Sequence, residues 1–387
     1  MAVYLDHAAT TPLRDEARDA WLAASALIGN ASSIHGDGQA ARRLLEESRE
    51  RLAAVVECDP IEVVFTSGGT EATNLALKGL WWSRRQDTEV VVLPDGEHHA
   101  TLDAVEWLEK NEGARIRAVP LDDVGRIDGD AFAAALDGAA WATALVANNE
   151  VGTINDAAAL AAAAATVQTP LHLDAVAAFG HVPVSFRAWR SEAPAAAGLV
   201  ALSVSGHKIG APVGTGALVV ARTASLTPLL HGGGQQRRLR AGTQDVAGAA
   251  ALAAAAECAR AEMAGEAARV GALRDDLVAR VRRELPDVEL LGDPVDRLPG
   301  NAHLHVPGAS GETLLFLLDV AGVSVSTGSA CQAGVAEPSH VVQALGRPEL
   351  EAREVIRVSL GRTSTPADVE AFAAAFPAAV ARARAAR

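Results

Sequence analysis

The segment FTSGGTE at residues 65–71 joins a short apolar run to a helical pattern through two adjacent glycines. The same alternation of β-rich runs and helical patterns continues through the first two thirds of the chain. We predict strands at residues 63–65, 90–93, 115–119, 143–147, 171–173, 199–204 and 216–220, and helices at 71–82, 101–111, 130–136 and 156–167. This order predicts an α/β fold with a mostly parallel sheet that helices cover on both faces.

The pattern changes after residue 248. A long charged helix is predicted at 249–284, followed by strands at 301–306 and 355–360 and by helices at 312–320 and from Pro366 onwards. These elements indicate a smaller α+β C-terminal domain. We therefore expect a large domain at residues 16–255 and a small domain formed by residues 1–15 and 256–387.

Composition limits the classes of function. The chain has 387 residues with 49% apolar content, which is ample for a core. Its formal net charge of −14 disfavours direct binding of nucleic acid or of an anionic membrane. No signal peptide is recognisable, and the longest apolar runs are shorter than the ~20 residues of a membrane span. Three widely spaced cysteines do not form a disulfide framework, so we expect a cytoplasmic protein.

Lys208 is the candidate catalytic lysine among only three lysines in the chain. It ends the segment SVSGHK at residues 203–208, directly after a predicted strand, and ligands of such sheets bind beyond the carboxyl ends of the strands. Loss of hydration there lowers the pKa of a lysine toward the range in which it acts as nucleophile or base. Lys78 and Lys110 lie in predicted helices and have no comparable setting.

Three further signals follow strands. Gly69 and Thr70 begin a helix whose free amides suit a phosphate, although an ordinary N-cap at Thr70 fits this stretch equally well. His98 belongs to EHHA at residues 97–100, where a lone histidine is more often a surface or core residue. Asp174 ends an apolar strand and needs a cation or a protonated ring nitrogen as partner, unless it forms a structural salt bridge. Together with Lys208 they predict pyridoxal phosphate as the cofactor, with no metal ion.

Ten motifs are spread over nearly the whole length of the chain. They are YLDHAATT at 4–11, NASSIH at 30–35, TSGGTE at 66–71, EHHA at 97–100, NNEVG at 148–152, SGHK at 205–208, GGGQ at 232–235, RAGT at 240–243, STGSAC at 326–331 and RVSLGR at 357–362. In these motifs and in their order the chain resembles the NifS/IscS-type cysteine desulfurases, a class V aminotransferase-like group of fold-type I pyridoxal-phosphate enzymes.

The resemblance implies a role for each site residue. Lys208 would bind the cofactor as a Schiff base and move protons, His98 would stack on the ring, and Asp174 would pair with the ring nitrogen. The phosphate would be held by Gly69, Thr70, Ser205 and His207, with Thr243 reaching in from the second subunit of a homodimer. Asn149 would lie beside the phenolic oxygen, and Arg357 would clamp the substrate carboxylate, for which a planar guanidinium is suited.

Cys331 completes the set that the resemblance implies. It lies in a glycine-containing segment typical of a mobile loop, whereas Cys58 and Cys258 are expected to be small residues without a redox role. The implied reaction converts L-cysteine to L-alanine, with a persulfide on Cys331 that passes to an acceptor protein or thiol. That sulfur could serve iron–sulfur clusters, thiolated RNA, cofactors or DNA modification.

Two positions depart from the family pattern. Ala177 stands where glutamine is usual, and its lack of a donor predicts an altered titration of the cofactor and slower turnover. Asp245 stands where asparagine is common. A selenocysteine lyase or another C–S lyase or epimerase relative is the alternative enzyme, and a non-catalytic cofactor-binding scaffold is the alternative from a different class.

Overall fold

The computed structural model describes residues 3–191, 193, 196–328 and 337–386. The strands are β1 (Val3–Tyr4), β2 (Val63–Thr66), β3 (Val90–Pro94), β4 (Arg115–Val119), β5 (Trp141–Leu145), β6 (Pro170–Asp174), β7 (Gly198–Ser205), β8 (Gly216–Val220), β9 (Glu289–Leu291), β10 (Asn301–His305), β11 (Val323–Ser324) and β12 (Val355–Ser359). The helices are α1 (Asp15–Ser25), α2 (Gly36–Val56), α3 (Gly69–Ser83), α4 (His99–Glu112), α5 (Gly129–Ala135), α6 (Ala157–Thr166), α7 (Phe186–Arg190), α8 (Val246–Glu284), α9 (Gly311–Val320), α10 (His340–Ala344), α11 (Glu349–Ala352) and α12 (Pro366–Ala385).

A seven-stranded sheet forms the larger part of the molecule, in the order β2-β8-β7-β6-β5-β3-β4. The strands from β7 to β4 are parallel, and β8 runs antiparallel to both of its neighbours. The prediction of an α/β fold with a mostly parallel sheet is therefore confirmed. Because the parallel strands share a direction, the residues that follow them gather at one edge of the sheet.

Helices cover both faces of this sheet. Along β2, Val63 and Phe65 pack into one core with α2, α6 and the first half of α8, whereas Val64 packs into another core with α3 and α4. This division follows from the alternation of side chains along a strand. Buried on both faces, the strands read as continuous apolar runs, which is the pattern that made them recognisable in the sequence.

Several details differ from the predictions. The strand expected at 143–147 occupies Trp141–Leu145, because the parallel ladder with β3 begins at Trp141 and the chain leaves the strand after Leu145. Helices α1 and α2 were not predicted. Exposed Trp21 and Leu22 in α1 add apolar residues outside its buried face and obscure its periodicity.

A second core lies in the C-terminal part of the chain. It joins the antiparallel sheet β12-β10-β9, the parallel pair β1-β11, α9, α12 and the second half of α8. Helix α8 contributes Ala255 and Ala259 to the core of the large sheet and Val270 and Leu277 to the second core. The division into residues 16–255 and residues 1–15 with 256–387 remains a proposal, and its boundary falls within this shared helix.

Across the ranges that the structure describes, no helix is both long and apolar enough to cross a membrane. The same residues contain no group of three or more His, Cys, Asp or Glu side chains arranged to hold a metal ion.

Candidate active site

A cavity of about 390 Å³ opens at the carboxyl ends of the parallel strands and reaches residues of the second core. Its lining contains most of the residues that the sequence singled out, namely Gly69, Thr70, His98, Asn149, Asp174, Ser205, His207, Lys208 and Arg357. Two residues are not part of this group. Thr243 is exposed and does not line the described cavity, and Cys331 lies outside the described residues.

The N-terminus of α3 forms one end of the cavity. The helix begins at Gly69, where a Cβ atom would lie 2.6 Å from the Cγ2 atom of Val176, so a larger residue would not fit. Facing this end is Ser205, whose buried hydroxyl has no hydrogen-bond partner among the described residues. Free helix amides and an unpaired buried hydroxyl suit an anion such as a phosphate group.

Lys208 lies in the 3₁₀ turn Gly206–Lys208 that follows β7. Burial, and then the charge of Arg357, lower the pKa of its amine to about 8, against the opposing influence of Asp6 and Asp174. The Nζ atom donates to the carbonyl of Ala8 and, at 3.0 Å, to that of Ala9. The N-terminal segment therefore holds the amine at the cavity wall, with a pKa close to neutrality.

His98 precedes α4 as its N-cap. Its Nδ1 accepts a hydrogen bond from the backbone amide of Ala100 at 3.1 Å, so the proton of the neutral ring lies on Nε2. Burial, followed by the charge of Lys208, lowers the pKa of His98 to about 4. The ring is therefore neutral at physiological pH and can stack on a flat aromatic group.

Two carboxyl groups close to the cavity differ in charge at neutral pH. Asp174 ends β6 and accepts a hydrogen bond from the amide of Val176 at 2.8 Å. Burial raises the pKa of Asp174 to about 6, whereas burial and the charge of Asp174 raise the pKa of Glu97 to about 8. Glu97 is thus mainly protonated at neutral pH, and Asp174 is the group that can pair with a protonated ring nitrogen.

Arg357 comes from β12 and lines the same cavity as the N-terminus of α3. Its guanidinium donates to the backbone carbonyl of Asn149 at 2.9 Å and to the carboxylate of Asp6 at 3.0 Å. Within the described part of the chain, its Nε atom has no hydrogen-bond partner. Anchored in this way, the guanidinium is oriented to bind a carboxylate.

The two flanks of the segment that contains Cys331 meet at one carboxylate. Ser339 donates its hydroxyl proton to Glu150 at 2.5 Å. Gly328 approaches the same side chain so closely that an added Cβ would lie 3.2 Å from its Oε2 atom. Gly328 and His340 also line the cavity. Residues on both sides of the segment 329–336 therefore border the site.

Several contributing residues were not identified from the sequence. Asp6 orients Arg357, Glu97 supports the backbone of Leu145, and His172, Ser203 and Thr73 form a buried polar group near Asp174. The available signal was a polar residue inside an apolar strand, as in LHLD at 171–174 and LSVS at 202–205. Ala177 lines the cavity with a methyl group and supplies no side-chain hydrogen bond.

The residues of the cavity fit pyridoxal phosphate. The anion site at α3 and Ser205 suits the phosphate, the neutral ring of His98 suits the pyridine face, and Asp174 suits the ring nitrogen. Lys208 supplies an amine of lowered pKa to the same space. The unpaired buried Oδ1 atom of Asn149, one of the described atoms without a hydrogen-bond partner, adds a polar group at the wall.

Comparison with known proteins agrees with this chemistry. The sequence profile of the family Aminotransferase class-V matches residues 3–372. The IscS-like cysteine desulfurase of Mycobacterium tuberculosis is 47% identical over 98% of this chain and 97% of its own length.

Solved structures show the same similarity. A NifS-like protein superposes with a TM-score of 0.90 at 29% identity, over 99% of this chain and 100% of its own. The structure of SspA in complex with cysteine superposes with a TM-score of 0.79 at 26% identity, over 94% of this chain and 99% of its own.

Proposed function

We propose, from the premise that this chain belongs to the class-V aminotransferase family and is a pyridoxal-phosphate-dependent cysteine desulfurase, that Cys331 receives the sulfur of L-cysteine and passes it to an acceptor. The observation that carries the proposal is the composition of one cavity. Lys208 and Arg357 line it, and so do Gly328 and His340 on either side of the segment with Cys331. A substrate held by the first pair would therefore lie close to that segment.

The cofactor would be held by residues from several strand ends. Its phosphate would bind at Gly69, Thr70, Ser205 and His207, its ring would stack on His98, its ring nitrogen would face Asp174, and its phenolic side would face Asn149. When bound, pyridoxal phosphate supplies an electron-withdrawing ring that stabilises negative charge on the substrate Cα.

Arg357 would bind the carboxylate of L-cysteine. Asp6 and the carbonyl of Asn149 hold two of its nitrogen atoms, which limits the rotation of the guanidinium at the cavity wall. The structural neighbour SspA was solved with cysteine, which supports cysteine as the substrate of this chain. A lysine at this position would lose the two-point geometry that a carboxylate requires.

Lys208 and Cys331 would carry out the transfer. With its pKa lowered to about 8, the amine of Lys208 can accept a proton from the substrate Cα and later return one. The thiolate of Cys331 would bond to the substrate sulfur while the bond from that sulfur to Cβ breaks. The electron pair of the broken bond stays on Cβ, which takes up a proton and becomes the methyl group of alanine, and Cys331 retains the persulfide.

We also propose a homodimer in which Thr243 completes the phosphate site of the partner. Thr243 is exposed and lies away from the cavity of its own chain in the described structure. Large apolar side chains are exposed at Ile28, Ile34 and Val213, with 86%, 91% and 81% of their surface accessible. A second subunit would bury such residues. A persulfide requires a reduced Cys331, which favours a cytoplasmic location.

The test uses the purified holoenzyme with L-cysteine. We expect equal amounts of alanine and transferred sulfur, with the added sulfur found on Cys331 by mass spectrometry, and we expect Cys331→Ala to abolish both. Cys58→Ala and Cys258→Ala are the matched controls, because burial raises the pKa of both thiols. Added sulfur on Cys58 or Cys258 would overturn the assignment. Retained activity of Cys331→Ala on selenocysteine would instead identify a selenocysteine lyase.

A further inference from the structure

Arg240 and Glu71 form an ion pair between two segments that lie far apart in the sequence. The Nε atom of Arg240 donates to Oε1 of Glu71 at 2.7 Å, and its Nη2 atom donates to Oε2 at 3.2 Å. The two side chains are 23% and 17% exposed, so the pair is largely withdrawn from water. Two parallel hydrogen bonds of this kind fix the orientation of both groups.

Glu71 holds the turn that leads into α3. It lies in the first turn of this helix, and its Oε2 atom accepts a hydrogen bond from the backbone amide of Ser67 at 2.6 Å. The bond spans Gly68 and Gly69, the two glycines through which the chain enters the helix. The carboxylate therefore fixes the backbone next to the amides that are assigned to the cofactor phosphate.

The same carboxylate would repel an anion bound at these amides. Three of the four residues assigned to the phosphate have uncharged side chains, and burial, followed by the charge of Lys208, lowers the pKa of the fourth, His207, to about 4. The four assigned residues therefore supply no positive charge at neutral pH, whereas a phosphate monoester carries a charge of about −1.5 to −2. Glu71 adds a negative charge within one helical turn of the amides.

Arg240 supplies the compensating positive charge. Burial opposes the ionisation of Glu71, but hydrogen bonds from Arg240 and from Ser67 lower its pKa below the ordinary value, so the carboxylate is charged at neutral pH. Because the guanidinium is charged as well and lies in direct contact, the two opposite charges largely cancel for a third group nearby. Without Arg240, the carboxylate would act on the phosphate through partly buried protein, where solvent screens charges less.

We propose that Arg240 is a positioning residue for cofactor binding, which neutralises Glu71 so that this carboxylate can hold the turn before α3 without repelling the phosphate. The inference rests on the proposed function only in placing the cofactor phosphate at the N-terminus of α3. Neither Arg240 nor Glu71 lines the described cavity, so their effect acts through the charge and the backbone of the first turn.

Contacts other than the ion pair hold the segment of Arg240 in place. Arg240 forms a parallel β-bridge with Leu230, and the backbone amide of Gly242 donates to Oε1 of Gln235 at 3.0 Å. We therefore expect a glutamine at position 240 to leave this segment folded. The substitution then removes the positive charge and leaves the charge of Glu71.

The experiment uses the full chain, freed of cofactor and titrated with pyridoxal phosphate and, separately, with pyridoxal, which has a hydroxyl in place of the phosphate. The absorbance of the bound cofactor gives a Kd for each. We expect Arg240→Gln to raise the Kd for pyridoxal phosphate about 10–100-fold, the size of effect of a hydrogen bond to a charged group, and to leave the Kd for pyridoxal unchanged.

Glu71→Gln separates charge from structure. Glutamine keeps an oxygen that can accept the Ser67 amide, and the positive charge of Arg240 remains. We expect the Kd for pyridoxal phosphate to stay unchanged or to fall. The double variant Glu71→Gln/Arg240→Gln lacks both charges and should recover most of the affinity lost in Arg240→Gln, and Arg240→Lys, which keeps the positive charge, should retain most of it.

Arg51→Gln is the matched control. Arg51 on α2 forms a similar bidentate pair with Glu257 on α8, with hydrogen bonds of 3.0 and 2.6 Å, and neither residue lines the described cavity. We expect both Kd values to stay at the wild-type level in this variant.

Three results would overturn the inference. One is an unchanged Kd for pyridoxal phosphate in Arg240→Gln, and another is an equal rise for both ligands, which would indicate a general structural loss. The third is an equal loss in Arg240→Gln and Glu71→Gln, which would show that the ion pair matters only as a contact. If Arg240→Gln does not fold, the double variant decides, since it should bind pyridoxal phosphate nearly as tightly as the wild type.

The proposed function fails in a different way. Equal affinity of the wild type for pyridoxal phosphate and pyridoxal would refute the phosphate site itself. None of the titrations involves turnover, so a lack of added sulfur on Cys331 together with the expected Kd values would refute the proposed sulfur transfer and support the role of Arg240.

Discussion

Replacing Gly328 by alanine tests whether the flank of the Cys331 segment must keep its present position. Gly328 has a φ of +93°, and a Cβ there would lie 2.9 Å from Cε1 of His303 and 3.2 Å from Oε2 of Glu150. A residue with a side chain costs about 1–2 kcal/mol in a left-handed conformation. Overpacking against two buried side chains adds about 1–3 kcal/mol. We expect a total loss of about 2–5 kcal/mol, relieved in part by a shift of the flank.

Gly346→Ala provides the control for backbone strain alone. Gly346 has a φ of +80°, and no described atom lies within 4 Å of an added Cβ. This variant should lose about 1–2 kcal/mol of unfolding free energy and keep its activity. The difference between the two variants therefore isolates the contact of residue 328 with His303 and Glu150.

The assay combines urea unfolding with steady-state alanine formation. If the flank shifts at a cost of about 1–2 kcal/mol, the fraction of enzyme molecules in the catalytically productive conformation falls about 5–30-fold, and kcat falls with it. The cofactor absorbance and the KM for L-cysteine should stay unchanged, because the substitution alters neither the anion site at the N-terminus of α3 nor Arg357. His303→Ala in the Gly328→Ala background should recover part of the loss. Equal stability and equal kcat for the two glycine variants would refute the reasoning.

Three further predictions follow from single residues. Arg357→Lys should raise the KM for L-cysteine about tenfold or more, since it removes one of two parallel hydrogen bonds, and an unchanged KM would exclude Arg357 as the carboxylate clamp. Ala177→Gln should alter the absorbance–pH curve of the holoenzyme and its rate, and the interpretation of Ala177 is wrong if neither moves. Burial lowers the pKa of His303 to about 3, whereas the pKa of a histidine in the unfolded chain is near 6.5. Below pH 6.5 the unfolded state therefore binds a proton that the folded state does not, and the free energy of unfolding falls as the pH falls. Urea unfolding of the wild type and of His303→Gln should therefore diverge by about 2 kcal/mol between pH 7 and pH 5, and parallel curves would contradict this.

Much of the large sheet was predictable because its strands are buried on both faces and read as apolar runs. The strands Arg115–Val119 and Gly216–Val220 were predicted to the residue. The strand predicted at 143–147 was displaced, because apolar content continues beyond Leu145 whereas the ladder with β6 ends at Leu145. Helix α1 was missed, since exposed Trp21 and Leu22 resemble core residues in the sequence.

The site was predictable where a residue ends a strand or lies within a few residues after it. Lys208, Asp174 and Gly69 occupy such positions, and the parallel direction of the strands brings them to one edge. Asp6 was not identified, because its partner Arg357 is 351 residues away in the sequence. A local sequence pattern does not indicate a contact between residues so far apart in the chain.

The sequence by itself determined the fold class, the catalytic lysine and the kind of cofactor, because these depend on apolar periodicity and on which residue follows which strand. Only the tertiary structure decided the charge of each buried group. The ionisation of Asp174 and the protonation of Glu97 depend on burial and on charges and donors from other segments of the chain. These interactions exist only after distant segments pack together and exclude water, which is why composition and spacing do not contain them.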